Sequence, residues 1–250
     1  MSNHIFNTYF TEQEVVMPES KNKSARANSI SHIFQKLNPK NRRRKINQDI
    51  RGEGNHIECN DRFLRSTRFE IWGNNNRIEI GDGCQLKDVT FHIEGDDHLI
   101  QIGNNVAFNI AGSIWFEDHN GTLTIGDEST FENVHLAVTE PHSTLTIGKD
   151  CMFSYDIDVR VGDSHSVIVN EHNKRTNYAE NISFGDHVWV ASHCVILKGS
   201  IIGSNSIIGT RSVVTKSFPQ EGVVVAGNPA KIIKEGINWK RERIYDKSKF

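Results

Sequence analysis

Histidine is the side chain best suited to moving protons near neutral pH, and in this chain four histidines recur in one kind of setting. His98, His119, His142 and His165 each fall in a polar, turn-like stretch between short apolar runs. The first three read as ordinary polar turn residues. His165 differs, because an extra stretch, Asn170 to Asn181, follows it and lengthens its unit. Loops that interrupt a rigid scaffold are where binding surfaces tend to be made. Asp163, two positions earlier, suits either of two jobs: orienting the imidazole and raising its basicity, or capping the turn. The spacing leaves both open. Cys59, Cys84, Cys151 and Cys194 are scattered without CxxC or CxxH pairing, which argues against a zinc knuckle and a dense disulfide framework.

The elements that must position these residues are set by internal repeats. A triplet of Ile or Phe, then Gly, then Asp, Asn or Lys recurs at Ile80, Ile102, Ile125, Ile147 and Phe184. Its glycines, Gly81, Gly103, Gly126, Gly148 and Gly185, lie 22, 23, 22 and 37 residues apart. Three residues after each glycine comes Cys84, Val106, Ser129, Cys151 or Val188, a column of small or slim side chains.

From Phe184 to Val213 the register tightens to six. Phe184, Val190, Ile196, Ile202 and Ile208 form one bulky column, and Val188, Cys194, Ser200, Ser206 and Ser212 a small one. A bulky and a small residue at fixed offsets suit a short strand followed by a tight corner. Gly185, Gly203 and Gly209 follow the bulky position, where a corner needs either φ > 0 or close backbone approach. No stripe with a spacing of three to four persists, so the pattern is not helical. A solenoid keeps such a register because each coil stacks on the last. The spacing therefore predicts an all-β parallel β-helix, with Cys84, Cys151 and Cys194 as core packing.

Composition bounds the rest. Lys+Arg of 29 against Asp+Glu of 31 leaves a net charge of −2, without the basic surplus of a nucleic-acid binder. No apolar run approaches the ~20 residues of a membrane span, and Met1 to Met17 lacks a signal-peptide h-region; a cytoplasmic protein is expected. Residues 1–45 read as an N-terminal arm, with a short amphipathic helix at Ser29 to Leu37 and a basic run from Lys40 to Lys45. That run is either a solvated cluster or a docking arm for a membrane or another polyanion. The β-helix is expected over 46–229 with a loop insertion at 163–181, and 230–250 as a C-terminal helix or tail.

The hexads, together with Asp163-Ser164-His165-Ser166, Gly185-Asp186-His187-Val188-Trp189-Val190, Ser212-Val213-Val214-Thr215-Lys216 and Ala226-Gly227-Asn228-Pro229-Ala230-Lys231, resemble the hexapeptide-repeat acyltransferases. In style the chain is similar to their sugar and capsular polysaccharide O-acetyltransferases. The resemblance implies a left-handed coil, a homotrimer with active sites at subunit boundaries, acetyl-CoA as co-substrate with no metal, and a sugar or glycan hydroxyl as acceptor. It places the general base at His165, with Asp163 beside it. By position it places donor contacts at Trp189, Ser192, Thr210, Thr215, Lys216, Lys231 and Lys234, the two last lysines against nucleotide phosphates. Two departures put the donor contacts in doubt: Arg211 and Ala191 stand where the family commonly has glycine.

Other readings stay in view. N-acetylation of an amino sugar is not distinguished by any residue here. A γ-type zinc carbonic anhydrase needs converging histidines, for which the chain offers His165, His187 and His193, without the close histidine pair of those enzymes. A non-catalytic scaffold or glycan-binding solenoid needs neither the His165 turn, the insertion nor the Lys216 and Lys231 donor set.

Overall fold

The computed structural model describes residues 46–59, 64–246 and 248; the arm expected over residues 1–45 lies outside them. Every regular element among the described residues is a β-strand. The strands stack in parallel into three flat faces of a prism. The first face runs through Asn47–Arg51, Arg68–Trp72 and Val89–Glu94, then residues 112–116, 134–138 and 157–160, and ends with Val195–Leu197 and Val213–Val214. The second runs from His56–Cys59 through Arg77–Ile80, Leu99–Ile102, Thr122–Ile125, Thr144–Ile147 and Ile182–Phe184 to Ile201–Ile202. The third carries Leu64–Arg65, Gln85–Lys87, residues 107–109, 130–133 and 152–155, Trp189–Val190, Ile207–Ile208 and Val224–Gly227.

Side chains alternate in and out along each strand, so one bulky residue per short strand reaches the interior. The predicted column does this: Phe184, Val190, Ile196, Ile202 and Ile208 are all buried. Upstream, Phe108 and Phe131 stack with ring centres 4.5 Å apart, and Phe131 and Phe153 are 5.0 Å apart, so aromatic rings fill the wider early coils.

The corner between the second and third faces explains the recurring triplet. A Cβ on Gly148 would lie 2.5 Å from the carbonyl oxygen of Gly185 in the next coil. Close approach of stacked backbones, not positive φ, therefore demands glycine. The residue after it then reaches along the stack: Asn104 Oδ1 accepts from the Asp82 N–H at 3.0 Å, Asp127 Oδ1 from Asn104 at 2.7 Å, and Asp186 Oδ1 from Lys149 at 2.8 Å. The small column is small for packing and polar for pairing. Cys84 Sγ donates to the Gly103 carbonyl at 2.9 Å, Ser129 Oγ to Gly148 at 2.9 Å, and Cys194 Sγ to Gly209 at 3.1 Å. Burial pushes the Cys151 thiol up to about 11, so it stays protonated at neutral pH.

Between Arg160 and Ile182 the coil opens into a long excursion containing an antiparallel hairpin, Ile168–Val169 with Lys174–Arg175. At the other end, the stretch read as a C-terminal helix or tail begins with a strand. Ala230–Lys234 pairs antiparallel with Val224–Gly227, and a tail without regular structure follows to residue 246. The physical reason is a period of two: Ala230 is buried and Ile232 half-buried, with exposed Lys231 and Ile233 alternating, against an edge that needs a partner.

Candidate active site

The four histidines do share a place. His98, His119, His142 and His165 all stand on the corner joining the first face to the second. His98 is the buried one and braces that corner: its Nδ1 accepts from the Gly121 N–H at 2.9 Å. Burial also lowers its pKa, which suits the neutral acceptor form. His119 and His142 are exposed and meet edge to face at 5.7 Å.

His165 is exposed and sits on a tight turn, with Ser164 at φ 61° and the His165 N–H donating to the Asp163 carbonyl at 2.7 Å. Asn177 clamps this turn. Its Nδ2 donates to the His165 carbonyl at 2.7 Å and to Asp163 Oδ2 at 2.8 Å, while its Oδ1 accepts from Val167 N–H at 2.6 Å. Asp163 is also paired with Lys198, one coil further on at the same corner, and that ammonium holds its carboxyl below the usual range. Of the two jobs read for Asp163, the contacts formed are those of a turn brace: the carboxylate engages Lys198 and Asn177, not the imidazole. Arg175 of the hairpin pairs with Glu140 of the preceding coil and lies 5.0 Å from the Tyr178 ring, which fastens the excursion to the solenoid.

The donor residues divide between two corners. Ser192 and Thr210 stack at the corner joining the third face to the first, where the Arg211 N–H donates to the Ser192 carbonyl at 3.0 Å. Trp189 points outward on the third face, since its neighbour Val190 fills the interior. Lys231 and Lys234 are exposed on the strand added to that same face. Thr215 and Lys216, in contrast, follow Val213–Val214 onto the first corner, the one that in earlier coils carries Asp163, His165 and Lys198. A single chain therefore holds Thr215 and Lys216 at one edge of the first face and Ser192 and Thr210 at the other, with Trp189, Lys231 and Lys234 on the third face.

The two departures from glycine resolve differently. Arg211 adopts φ 59°, the left-handed region that favours glycine, so its side chain is carried at a conformational cost of roughly 1 kcal/mol. Ala191 is buried in ordinary strand geometry, its N–H donating to the Ile208 carbonyl at 2.9 Å, and its Cβ is accommodated. The three histidines weighed for zinc stand on three different corners of the prism. His187 has both ring nitrogens engaged, Nδ1 with Asp150 at 2.7 Å and Nε2 with the Trp239 carbonyl at 3.0 Å.

Three contributors were missed from sequence. Lys198 was legible, because the hexads put it on the same corner as Asp163. Asn177 was not, since nothing in a loop's spacing says what it will clamp. Trp239 was hidden in the tail, which folds back along the second corner: its ring stacks on His187 at 4.1 Å and approaches Trp189 at 6.0 Å. Arg241 continues the strap, bonding Asp150 Oδ1 at 2.9 Å and Thr130 Oγ1 at 2.8 Å.

A three-faced parallel coil with hexad columns and a clamped histidine on an excursion defines the class: the chain belongs to the hexapeptide-repeat acyltransferases, and its fold is the left-handed parallel β-helix of that family. The family model described as bacterial transferase hexapeptide (six repeats) matches residues 181–216. Among individual proteins, a polysialic acid O-acetyltransferase of Neisseria meningitidis is 32% identical over 180 residues, covering 72% of this chain and 82% of that one. A polysialic acid O-acetyltransferase of Escherichia coli O1:K1 / APEC is 44% identical over 119 residues, 48% of this chain and 38% of the relative. The solved polysialic acid O-acetyltransferase OatWY superposes with a TM-score of 0.73 at 28% identity, covering 80% of this chain and 93% of OatWY. The polySia-specific acetyltransferase NeuO gives 0.70 at 33% identity, covering 79% and 89%. This protein is an enzyme, an acyltransferase of the O-acetylating kind.

Proposed function

We propose that the enzyme is a homotrimer that moves an acetyl group from acetyl-CoA to a hydroxyl of a sialic-acid-containing capsular or lipopolysaccharide glycan, with His165 as general base. The acceptor class is taken from the relatives, which are named for polysialic acid. The observation that carries the assembly is the division of the site. His165, Thr215 and Lys216 lie on one edge of the first face, and Ser192 and Thr210 on the other. A three-fold axis parallel to the solenoid, with first faces turned inward, brings the first corner of each copy to the third corner of the next. The outward side chains of that face suit burial. At its C-terminal end that face presents the part-exposed apolar side chains Val195, Leu197 and Val213, which favour a partner there.

In this arrangement the chemistry is short. The acceptor oxygen attacks the thioester carbonyl carbon as the His165 imidazole takes the hydroxyl proton. The C–S bond then breaks, and the departing CoA sulfur recovers that proton from the imidazolium, leaving an O-acetyl ester and free CoA. The Asp163–Asn177 clamp keeps the turn in place, so that the ring meets the hydroxyl without a search. Lys231, Lys234 and Lys216 supply positive charge for the nucleotide phosphates, and Trp189, steadied by Trp239, flanks the acyl end.

The test is acetyl-CoA consumption against capsule and lipopolysaccharide oligosaccharides, polysialic acid included, with products read by mass and NMR. Glycan-dependent release of CoA and a new O-acetyl ester are expected. No glycan-dependent turnover across such a panel would refute the proposal.

A further inference from the structure

Arg211 departs from its own column. Ser66, Asp88, Asp156, His193 and Arg211 hold one place on the third corner, and all are left-handed, with φ between 51° and 60°. Aspartate and histidine enter that region comparatively often, and a short polar side chain can offset the cost by bonding locally. Arginine has no such local bond, whereas glycine meets the same backbone without strain. In the coils below, the column is engaged, with His193 facing Asp156 at 3.2 Å. Arg211 is exposed, and among the described residues its guanidinium makes no hydrogen bond, ion pair or ring contact. Nothing within the chain repays its conformational cost.

The surroundings select a ligand. The Arg211 N–H donates to the Ser192 carbonyl at 3.0 Å, so Arg211 stands one coil beyond Ser192 and next to Thr210. On its other side, Gly209, Ala226 and Lys231 follow one another on adjacent strands, with the Gly209 N–H donating to the Val225 carbonyl at 2.8 Å and Ala226 paired with Lys231. The backbones of Gly209 and Lys231 are thus two strand spacings, about 10 Å, apart. Lys231 is exposed and, among the described residues, also outside any ion pair. Two unpaired cations at one end of a corner suit a multiply charged anion.

We propose that Arg211 is a donor-binding residue, its guanidinium meeting a phosphate of acetyl-CoA alongside Lys231. The inference rests on the donor site proposed above. Height along the solenoid favours the donor over a carboxylate of the acceptor. The His165 turn leaves the strand that carries Asp156, and Arg211 lies two coils beyond Asp156, about 10 Å further along the axis. A rotation about an axis parallel to the solenoid keeps that difference. The pantetheine arm separates the phosphates of acetyl-CoA from its thioester, so they belong away from the base, where the sugar hydroxyl belongs beside it. A planar fork with several donors also suits phosphate oxygens better than the backbone it sits on suits arginine.

The test uses the full-length protein and the variants Arg211→Gly and Arg211→Lys, titrated calorimetrically with CoA and with pantetheine, which lacks the phosphates. Arg211→Gly should weaken CoA binding by about tenfold, the loss of one exposed charge-assisted contact. Arg211→Lys should lose less, and pantetheine should bind parent and variants alike. The unliganded Arg211→Gly protein should melt at or above the parent's temperature, because glycine relieves the backbone; weaker binding then reports a lost contact and not a damaged fold. In turnover, the KM for acetyl-CoA should rise with the Kd while that for an oligomer of sialic acid stays. Unchanged CoA affinity in Arg211→Gly would overturn the assignment and leave the O-acetyltransferase reading standing. An equal loss for pantetheine would also overturn it, since no phosphate would then be involved. A raised acceptor KM with a normal Kd for CoA would overturn it too, moving Arg211 to the acceptor. A parent protein that binds no CoA would overturn the donor reading beneath it.

Discussion

Replacing Lys198 with methionine removes one ammonium and keeps most of the stem that packs on the first corner. Lys198 pairs with Asp163, whose carboxylate also accepts from Asn177 at 2.8 Å, and Asn177 holds the His165 carbonyl. A hydrogen bond to a charged group contributes about 1.5–3 kcal/mol when well shielded. Here the Asp163 side chain is 40% exposed and that of Lys198 19%, so water replaces much of the loss and about 1 kcal/mol is a fair figure. If that energy serves to hold the His165 turn, kcat/KM should fall by about fivefold, while the melting temperature moves little. Asp163→Asn should produce a similar loss, and the double variant should be no worse than either alone, because each breaks the same pair. The sign with pH follows from the depressed carboxyl. Asp163 ionises below its ordinary 3.8, so the contribution is present above that value and is lost as pH falls through the lower folded one. The Lys198→Met defect should therefore be flat from about pH 5 to 8, where the carboxylate stays ionised in both states. Additive losses in the double variant would refute the brace. A fall of a hundredfold or more would show that Lys198 touches substrate instead.

Other consequences are simpler to measure. His165→Ala should lower turnover by roughly 10²–10⁴-fold with CoA binding and assembly intact, and a near-normal rate would remove it from the mechanism. Lys231→Glu should raise the KM for acetyl-CoA with less effect on the acceptor; an unchanged value takes Lys231 out of the donor site. Trp239→Ala deletes an almost fully buried ring and should cost about 3 kcal/mol of stability, with a melting temperature equal to the parent's arguing that the strap is not part of the fold. Cys151, with its thiol raised to about 11, should resist alkylation at neutral pH until the protein unfolds, and rapid labelling of the native enzyme would contradict its burial.

The chain's own spacing determined the solenoid. Large apolar and small residues at fixed offsets of six admit only a stacked coil, and the triplet ending in Asp or Asn is the mark of a corner whose side chain caps the coil before it. The turn that carries His165 was legible for a related reason, lying beside the one interruption in an otherwise regular series. Arg211 was legible as an anomaly, and the structure explains it by a left-handed backbone at φ 59°.

Tertiary structure decided what meets what. Periodicity says which residues share a column, but carries no information about which corner a loop returns to or what it clamps. Asp163 could therefore be read as a partner for the His165 ring or as a turn cap, and the contacts its carboxylate makes are with Lys198 and Asn177. The stretch after Pro229, expected as a helix or tail, begins as a strand and continues as a tail, because a free sheet edge offered hydrogen bonds to its first residues. The donor residues read along the late hexads and beyond are spread over two corners and the third face, since hexads only six residues apart sit on different faces of a three-sided coil. Sequence order runs around the prism, whereas a site gathers along it, and only the fold relates the two.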